Sequence, residues 1–204
     1  MLFAPGSLST SGVGKRWSGL GITLLLLLFL GGCAQVIHVT TSEPIQISPK
    51  KRTPGARVDD NRVETYTRVN LKKASAAFDE AHINIDCFNG ILLLTGQVPS
   101  EHLRQLAGDT ATKLNTLRQV HNELVVAPNT EFKARSYDTW LTTKIKAKFM
   151  ANSDIEGSRI RVITENQTVF LMGLVSRYEA DKIAQLVANT GGVRQVVKVF
   201  EYID

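Results

Sequence analysis

Leu92-Leu93-Leu94-Thr95-Gly96-Gln97-Val98 returns 77 positions later as Val169-Phe170-Leu171-Met172-Gly173-Leu174-Val175. The same shift carries Ile83-Asn84-Ile85 onto Ile160-Arg161-Val162. Further on, Leu117-Arg118-Gln119-Val120 returns as Val193-Arg194-Gln195-Val196 after 76 positions, one residue having been lost in between. An ordered series of matches at one period marks a duplicated structural unit. Between the matches each copy carries helical spacing: Leu103, Leu106, Ala107 and Ala111 in the first, Ala180, Ile183, Ala184 and Ala188 in the second. Each copy therefore reads as helix, strand, strand, helix, strand, which predicts an α+β fold with helices packed on a small three-stranded sheet. The first helices are expected over residues 62–77 and 139–150, and the last strands end near Val126 and Ile203. Asn89-Gly90 is a strong two-residue hairpin signal, because both residue types tolerate positive φ. Asn166-Gln167 at the matching place is poorer and predicts a longer or strained loop. Gly96 and Gly173, late in strands, predict a bulge or a close helix approach, and Thr190-Gly191-Gly192 reads as a helix stop. A copy of about 65 residues is small for an independent core, so the two are expected to pack together.

Upstream of the repeats, Lys15-Arg16 precedes the leucine-rich run Leu20 to Leu30 and then Gly31-Gly32-Cys33. A basic patch, a short apolar run and small residues make a secretory signal. The run is shorter than the roughly 20 residues needed to span a bilayer. Residues 34–59, with Pro44, Pro49, Pro54 and the trio Lys50-Lys51-Arg52, read as a linker. A flexible chain of about 25 residues reaches roughly 25–30 Å. The expected organisation is signal peptide 1–32, tether 33–59, first repeat 60–128, connector 129–137 and second repeat 138–204.

The chain carries a net charge of +5, and removing Lys15 and Arg16 with the signal leaves +3. That is too mild for a dedicated nucleic-acid binder and suits an anionic membrane surface. With only Cys33 and Cys87 there is no disulfide framework, and Cys87 falls on the inward side of a strand as a small core residue. His38, His82, His102 and His121 are scattered without metal-ligand spacing. P-loop, dinucleotide and Gly-x-Ser-x-Gly patterns are missing from the sequence. The expectation is a non-enzymatic protein with neither cofactor nor metal.

Leu30-Gly31-Gly32-Cys33 resembles the lipobox of bacterial lipoproteins. The resemblance implies that Cys33 becomes the mature first residue, bearing a thioether-linked diacylglycerol and an amide-linked acyl chain. Ala34 in the next position implies the outer membrane, with the folded part on the periplasmic face. The element order, the strand glycines and Val120-His121-Asn122-Glu123-Leu124-Val125-Val126 resemble the BON domain. Two such domains behind a lipobox and tether look like the dual-BON outer-membrane lipoproteins, the division- and outer-membrane stress-associated lipid-binding family. The closest stretches are Asp138 to Lys144 and Val169 to Val175; the first copy departs more, with Leu117 where the domain usually has Gly-Val. That family implies binding of phosphatidylglycerol and cardiolipin through the first helix of the second domain, enrichment at division sites and a role in outer-membrane integrity.

The helix from Asp138, read as its N-cap, has chemistry of its own. At about 100° per residue, Leu141, Ile145 and Phe149 form the core stripe. Trp140, Lys144, Ala147 and Ala151 flank it, and Met150 points nearly opposite. Lys144, Lys146 and Lys148 are unopposed by any acid between Asp138 and Asp154. An indole and a thioether among lysines suit an interfacial membrane surface. The candidate phospholipid-binding residues are Trp140, Lys144, Ala147, Lys148 and Met150, with Tyr178 as a flanking candidate. Two alternatives stay open: Trp140 packs on the other domain, or the tandem is an adaptor for an outer-membrane assembly or septal cell-wall remodelling protein.

Overall fold

The computed structural model describes residues 52–204; the expected signal peptide, Cys33 and the tether as far as residue 51 lie outside the described residues. Helix α1 (Pro54–Ala74) starts inside the stretch expected to be tether. Pro54, counted above as a linker proline, occupies the first helical position, and the Thr53 hydroxyl accepts the Ala56 N–H as N-cap. Arg52 is also part of the fold, 2.7 Å from Asp60 and 4.5 Å above the Phe88 ring. The first domain thus begins before residue 60. A short 3₁₀ turn, Ala76–Asp79, follows α1 and buries Phe78.

Strands β1 (His82–Phe88) and β2 (Ile91–Val98), helix α2 (Glu101–Thr112) and strand β3 (Gln119–Val126) complete the first unit. The second repeats it as α3 (Phe132–Met150), β4 (Ile160–Glu165), β5 (Thr168–Val175), α4 (Arg177–Ala188) and β6 (Gln195–Tyr202). Each sheet has its second strand in the middle, antiparallel to the first and parallel to the third. Parallel pairing needs a crossover, which α2 and α4 supply. Both begin at a serine cap, and Ser176 with Glu179 forms a full capping box.

Helix α3 begins at Phe132 rather than 139, so the connector expected over 129–137 is cut to a few residues. Asp138 is not an N-cap. It lies inside the helix, 5% exposed, and its carboxylate accepts the Asn166 and Gln167 N–H groups at 2.8 and 2.9 Å. Asp60 does the same for Asn89 and Gly90, also at 2.8 and 2.9 Å. The Asn166-Gln167 loop is a two-residue turn like its counterpart, not a longer one, with φ of 48° and 63°. That positive φ without glycine is the strain expected from the sequence, and the buried carboxylate holds it in place.

Alternation on the central strands builds three apolar layers. Leu92, Leu94 and Val98 face α1 and α2, meeting Val63, Leu71, Leu103, Ala107 and Ala111. Val169, Leu171 and Val175 face α3 and α4, meeting Leu141, Ile145, Phe149, Ala180, Ile183 and Val187. The opposite faces meet each other: Phe88, Ile91 and Leu93 pack on Ile163, Phe170, Met172, Leu174 and Val199. The result is helix, sheet, sheet, helix. All eight residues of β2 are buried, because both its faces are covered. Fully burying side chains of this size contributes about 1.5–3 kcal/mol each, so the sheet-to-sheet layer supplies what one small domain lacks.

Polar groups frame this layer. Glu165, nearly buried, accepts from Asn84 and Gln97 amides at 2.9 and 2.8 Å and meets His82 at 3.3 Å. Arg161 crosses to Glu64 at 2.7 Å and to the Cys87 carbonyl at 2.8 Å, with Asp86 at 3.4 Å. Burial pushes the Asp86 carboxyl up despite Arg161 beside it. Arg118 grips Glu201 with two nitrogens, at 2.9 and 2.5 Å, and holds that carboxyl below its ordinary range. Cys87 is fully buried and free of any disulfide; burial, then the Asp60 charge, raises its thiol.

The strand glycines admit a close approach by backbone at the start of the paired strand or just before it, not by an α-helix. A Cβ on Gly96 (φ +118°) would fall on the His82 carbonyl oxygen, and one on Gly173 would lie 3.0 Å from the Arg159 carbonyl oxygen.

Candidate membrane-contact site

Leu141, Ile145 and Phe149 are buried at 0–2% exposure, so the core stripe of α3 is where its spacing puts it. This fixes the outward face. Trp140 is 51% exposed and Met150 84%, and Ala147 is exposed between them. Trp140 does not pack on the first domain. Its ring lies 5.3 Å from that of Tyr137, and the Lys144 ammonium stands 4.8 Å from its centroid. Cation and aromatic face hold each other by the ring quadrupole.

Lys144 and Lys148 are also positioned from outside the helix. The Lys144 ammonium donates to the Gly191 carbonyl at 2.9 Å, and that of Lys148 to the Thr190 hydroxyl at 2.9 Å. Neither partner is anionic, so both positive charges remain available at the surface. The helix stop expected at Thr190-Gly191-Gly192 therefore also braces the site. Gly192 has φ +109°, and a Cβ there would come within 2.5 Å of the Tyr137 hydroxyl. Only glycine lets Tyr137 close over the turn.

Trp140, Lys144 and Lys148 come together at this turn; Met150 lies ten residues beyond Trp140, about 15 Å along the axis. Tyr178 belongs elsewhere. It is exposed at the start of α4 beside Lys182, whereas Lys144 and Lys148 meet the far end of that helix. Tyr137, and Phe132 at 79% exposure, extend the outward face and did not emerge from the sequence. The signal for Tyr137 was its spacing of three from Trp140, which counts only once the helix is continued back past Asp138.

The face is convex. Two clefts, of about 500 and 360 Å³, are lined by Ala77, Pro99 and Pro128 and by His82, Asp138 and Thr142, and Trp140 lines neither. An open aromatic and basic face suits a surface ligand better than an enclosed small molecule. Cys33, the other candidate site, is outside the described residues.

The BON domain model matches this chain twice, over residues 59–128 and 137–204. The chain belongs to the dual-BON-domain outer-membrane lipoproteins. Outer membrane lipoprotein DolP of Haemophilus influenzae is 32% identical over 185 residues, covering 91% of this chain and 96% of that protein. A 21 kDa hemolysin of Actinobacillus pleuropneumoniae is 36% identical over 152 residues, 74% of this chain and 78% of its own length. Among solved structures, the C-terminal domain of CdsD, a structural protein of the type III secretion system of Chlamydia trachomatis, is similar over 67% of this chain and 96% of its own. Its identity is 13% and its TM-score 0.26. The first BON domain matched from residue 59 leaves out the opening of α1, and the second, from 137, leaves out its counterpart at the start of α3.

Proposed function

We propose that this lipoprotein is anchored at Cys33 to the periplasmic face of the outer membrane and reads anionic phospholipid with the outward face of α3. The observation that carries the reading is the half-exposed Trp140, braced by Tyr137 and Lys144 instead of being covered by protein. Trp140 and Met150 enter the interface while Lys144 and Lys148 meet phosphates. Burying a large apolar side chain contributes about 1.5–3 kcal/mol, and each lysine near an anionic surface about 1 kcal/mol. Phosphatidylglycerol and cardiolipin fit because they are anionic. The role is non-catalytic: the protein marks anionic regions of the membrane, supports outer-membrane integrity and is enriched where the cell divides. The relationship to an outer membrane lipoprotein supports the location, and the charge and exposure of α3 support the ligand.

Residues 34–204, which lack Cys33, test this by co-sedimentation with vesicles containing or lacking phosphatidylglycerol. Wild type is expected to bind only the anionic vesicles. Trp140→Glu should weaken α3-mediated binding about 30-fold or more, the equivalent of roughly 2 kcal/mol. No binding by folded wild type overturns the lipid reading and makes the protein adaptor the leading one.

A further inference from the structure

The buried triplet Val63, Thr67 and Leu71 of α1 matches Leu141, Ile145 and Phe149 of α3 at a shift of 78, as do the turn-holding Asp60 and Asp138. The same shift lays Arg62, Tyr66, Val69 and Lys73 on Trp140, Lys144, Ala147 and Ala151. An aromatic and a cation spaced four apart occur on both outward faces, in swapped order. Tyr66 is 57% exposed, Val69 42% and Val58 51%, and at helical spacing all three share one stripe with Arg62 and Lys73. Single exposed apolar residues are ordinary; three on one stripe between basic side chains form a surface. Helix α1 bears Arg57, Arg62, Arg68, Lys72 and Lys73 against three acids. Asp60 is buried under the hairpin turn, Glu64 is turned to Arg161, and Asp59 touches Arg62. Lys72 pairs with Asp79 at the far end. The outward charge is positive.

We infer that α1 is a second contact face for anionic phospholipid, directed away from the first. Because the layers run helix, sheet, sheet, helix, α1 and α3 close opposite sides of the molecule. Sheets pack about 10 Å apart and a helix with its side chains is about 10–12 Å thick, so the two faces stand roughly 40 Å apart. A rigid body with two such faces joins two anionic bilayers at that spacing. The surface class rests on the lipid reading above; the variants separate the two.

Residues 34–204 are mixed with phosphatidylglycerol/phosphatidylcholine vesicles, and with pure phosphatidylcholine vesicles as control. Binding is read by co-sedimentation and vesicle clustering by light scattering. Wild type is expected to cluster the anionic vesicles only. The double variant Tyr66→Glu/Val69→Glu should still bind through α3 but lose clustering at least tenfold. Trp140→Glu should keep a phosphatidylglycerol-dependent remainder that disappears when all three substitutions are combined. The milder Arg62→Gln, which adds no charge to an apolar position, should reduce clustering in the same direction. Clustering unaffected by Tyr66→Glu/Val69→Glu overturns the inference, as does loss of all binding by Trp140→Glu alone, which would leave the α3 reading standing. Normal binding by Trp140→Glu with none by the α1 double variant would support α1 and sink α3.

Discussion

Replacing Asp138 with alanine tests how the second hairpin turn is held. The carboxylate takes two backbone N–H groups at 2.8 and 2.9 Å in a turn whose residues both have positive φ and neither of which is glycine. A hydrogen bond to a charged group contributes about 1.5–3 kcal/mol. Relief from burying the carboxylate offsets part of the gross loss, so the net cost is about 3 kcal/mol. For about 150 residues this lowers Tm by roughly 6–12 °C. Urea unfolding of residues 34–204 followed by helical circular dichroism measures it. Gln167→Gly, which removes the side-chain penalty at φ 63°, should return about 1 kcal/mol in the Asp138→Ala background. A loss under about 0.5 kcal/mol, below ordinary cap effects, would refute the assigned role of the carboxylate.

Acid should act on the first turn in a defined direction. Burial raises the Asp60 carboxyl, but the Gly90 and Asn89 N–H groups, Cys87 and Arg52 outweigh it and hold it below the ordinary 3.8. Its contribution is therefore present above that value and lost as pH falls through the lower folded one. The stability gap between wild type and Asp60→Asn should be widest near neutrality and narrow below about pH 4, measured by denaturant unfolding across pH; a gap that widens in acid contradicts the assignment. Gly96→Ala should cost about 3 kcal/mol or more, combining positive φ with collision on backbone. Gly173→Ala, at 3.0 Å from the Arg159 carbonyl oxygen, should cost about 1–2 kcal/mol. Equal losses in chemical denaturation would show that the two close approaches are not graded as the geometry implies.

The repeat and its element order were legible because they rest on local patterns: alternation, turn residues and the 77-residue shift. Leu92-Leu93-Leu94 and Val169 to Val175 are apolar on both faces, which fits the sheet-to-sheet layer, although the expectation that the copies pack together rested on their size alone. The starts of α1 and α3 were misplaced for opposite reasons. Thr53-Pro54 is a helix start that also reads as linker punctuation. Phe132 opens α3 facing solvent, so the amphipathic pattern begins later than the helix does. Asp138 has the side chain of an N-cap and the position of a hairpin clamp, separated from its turn by 28 residues. The Glu165 cluster had no sequence signal at all, because its partners Asn84 and Gln97 lie 81 and 68 residues away. The outward placement of Trp140, Lys144 and Met150 was legible from the core stripe they avoid. The bracing by Gly191 and Gly192 was not, since it depends on where α4 stops against α3.

The chain has two tryptophans, Trp17 and Trp140, and only Trp140 remains in residues 34–204. Its emission therefore reports directly on the proposed contact. On titration with phosphatidylglycerol vesicles, the emission should shift to the blue and be quenched by lipids brominated near the headgroup, with no change in pure phosphatidylcholine. Unshifted and unquenched emission while the protein is demonstrably bound would show that the membrane is read by another surface.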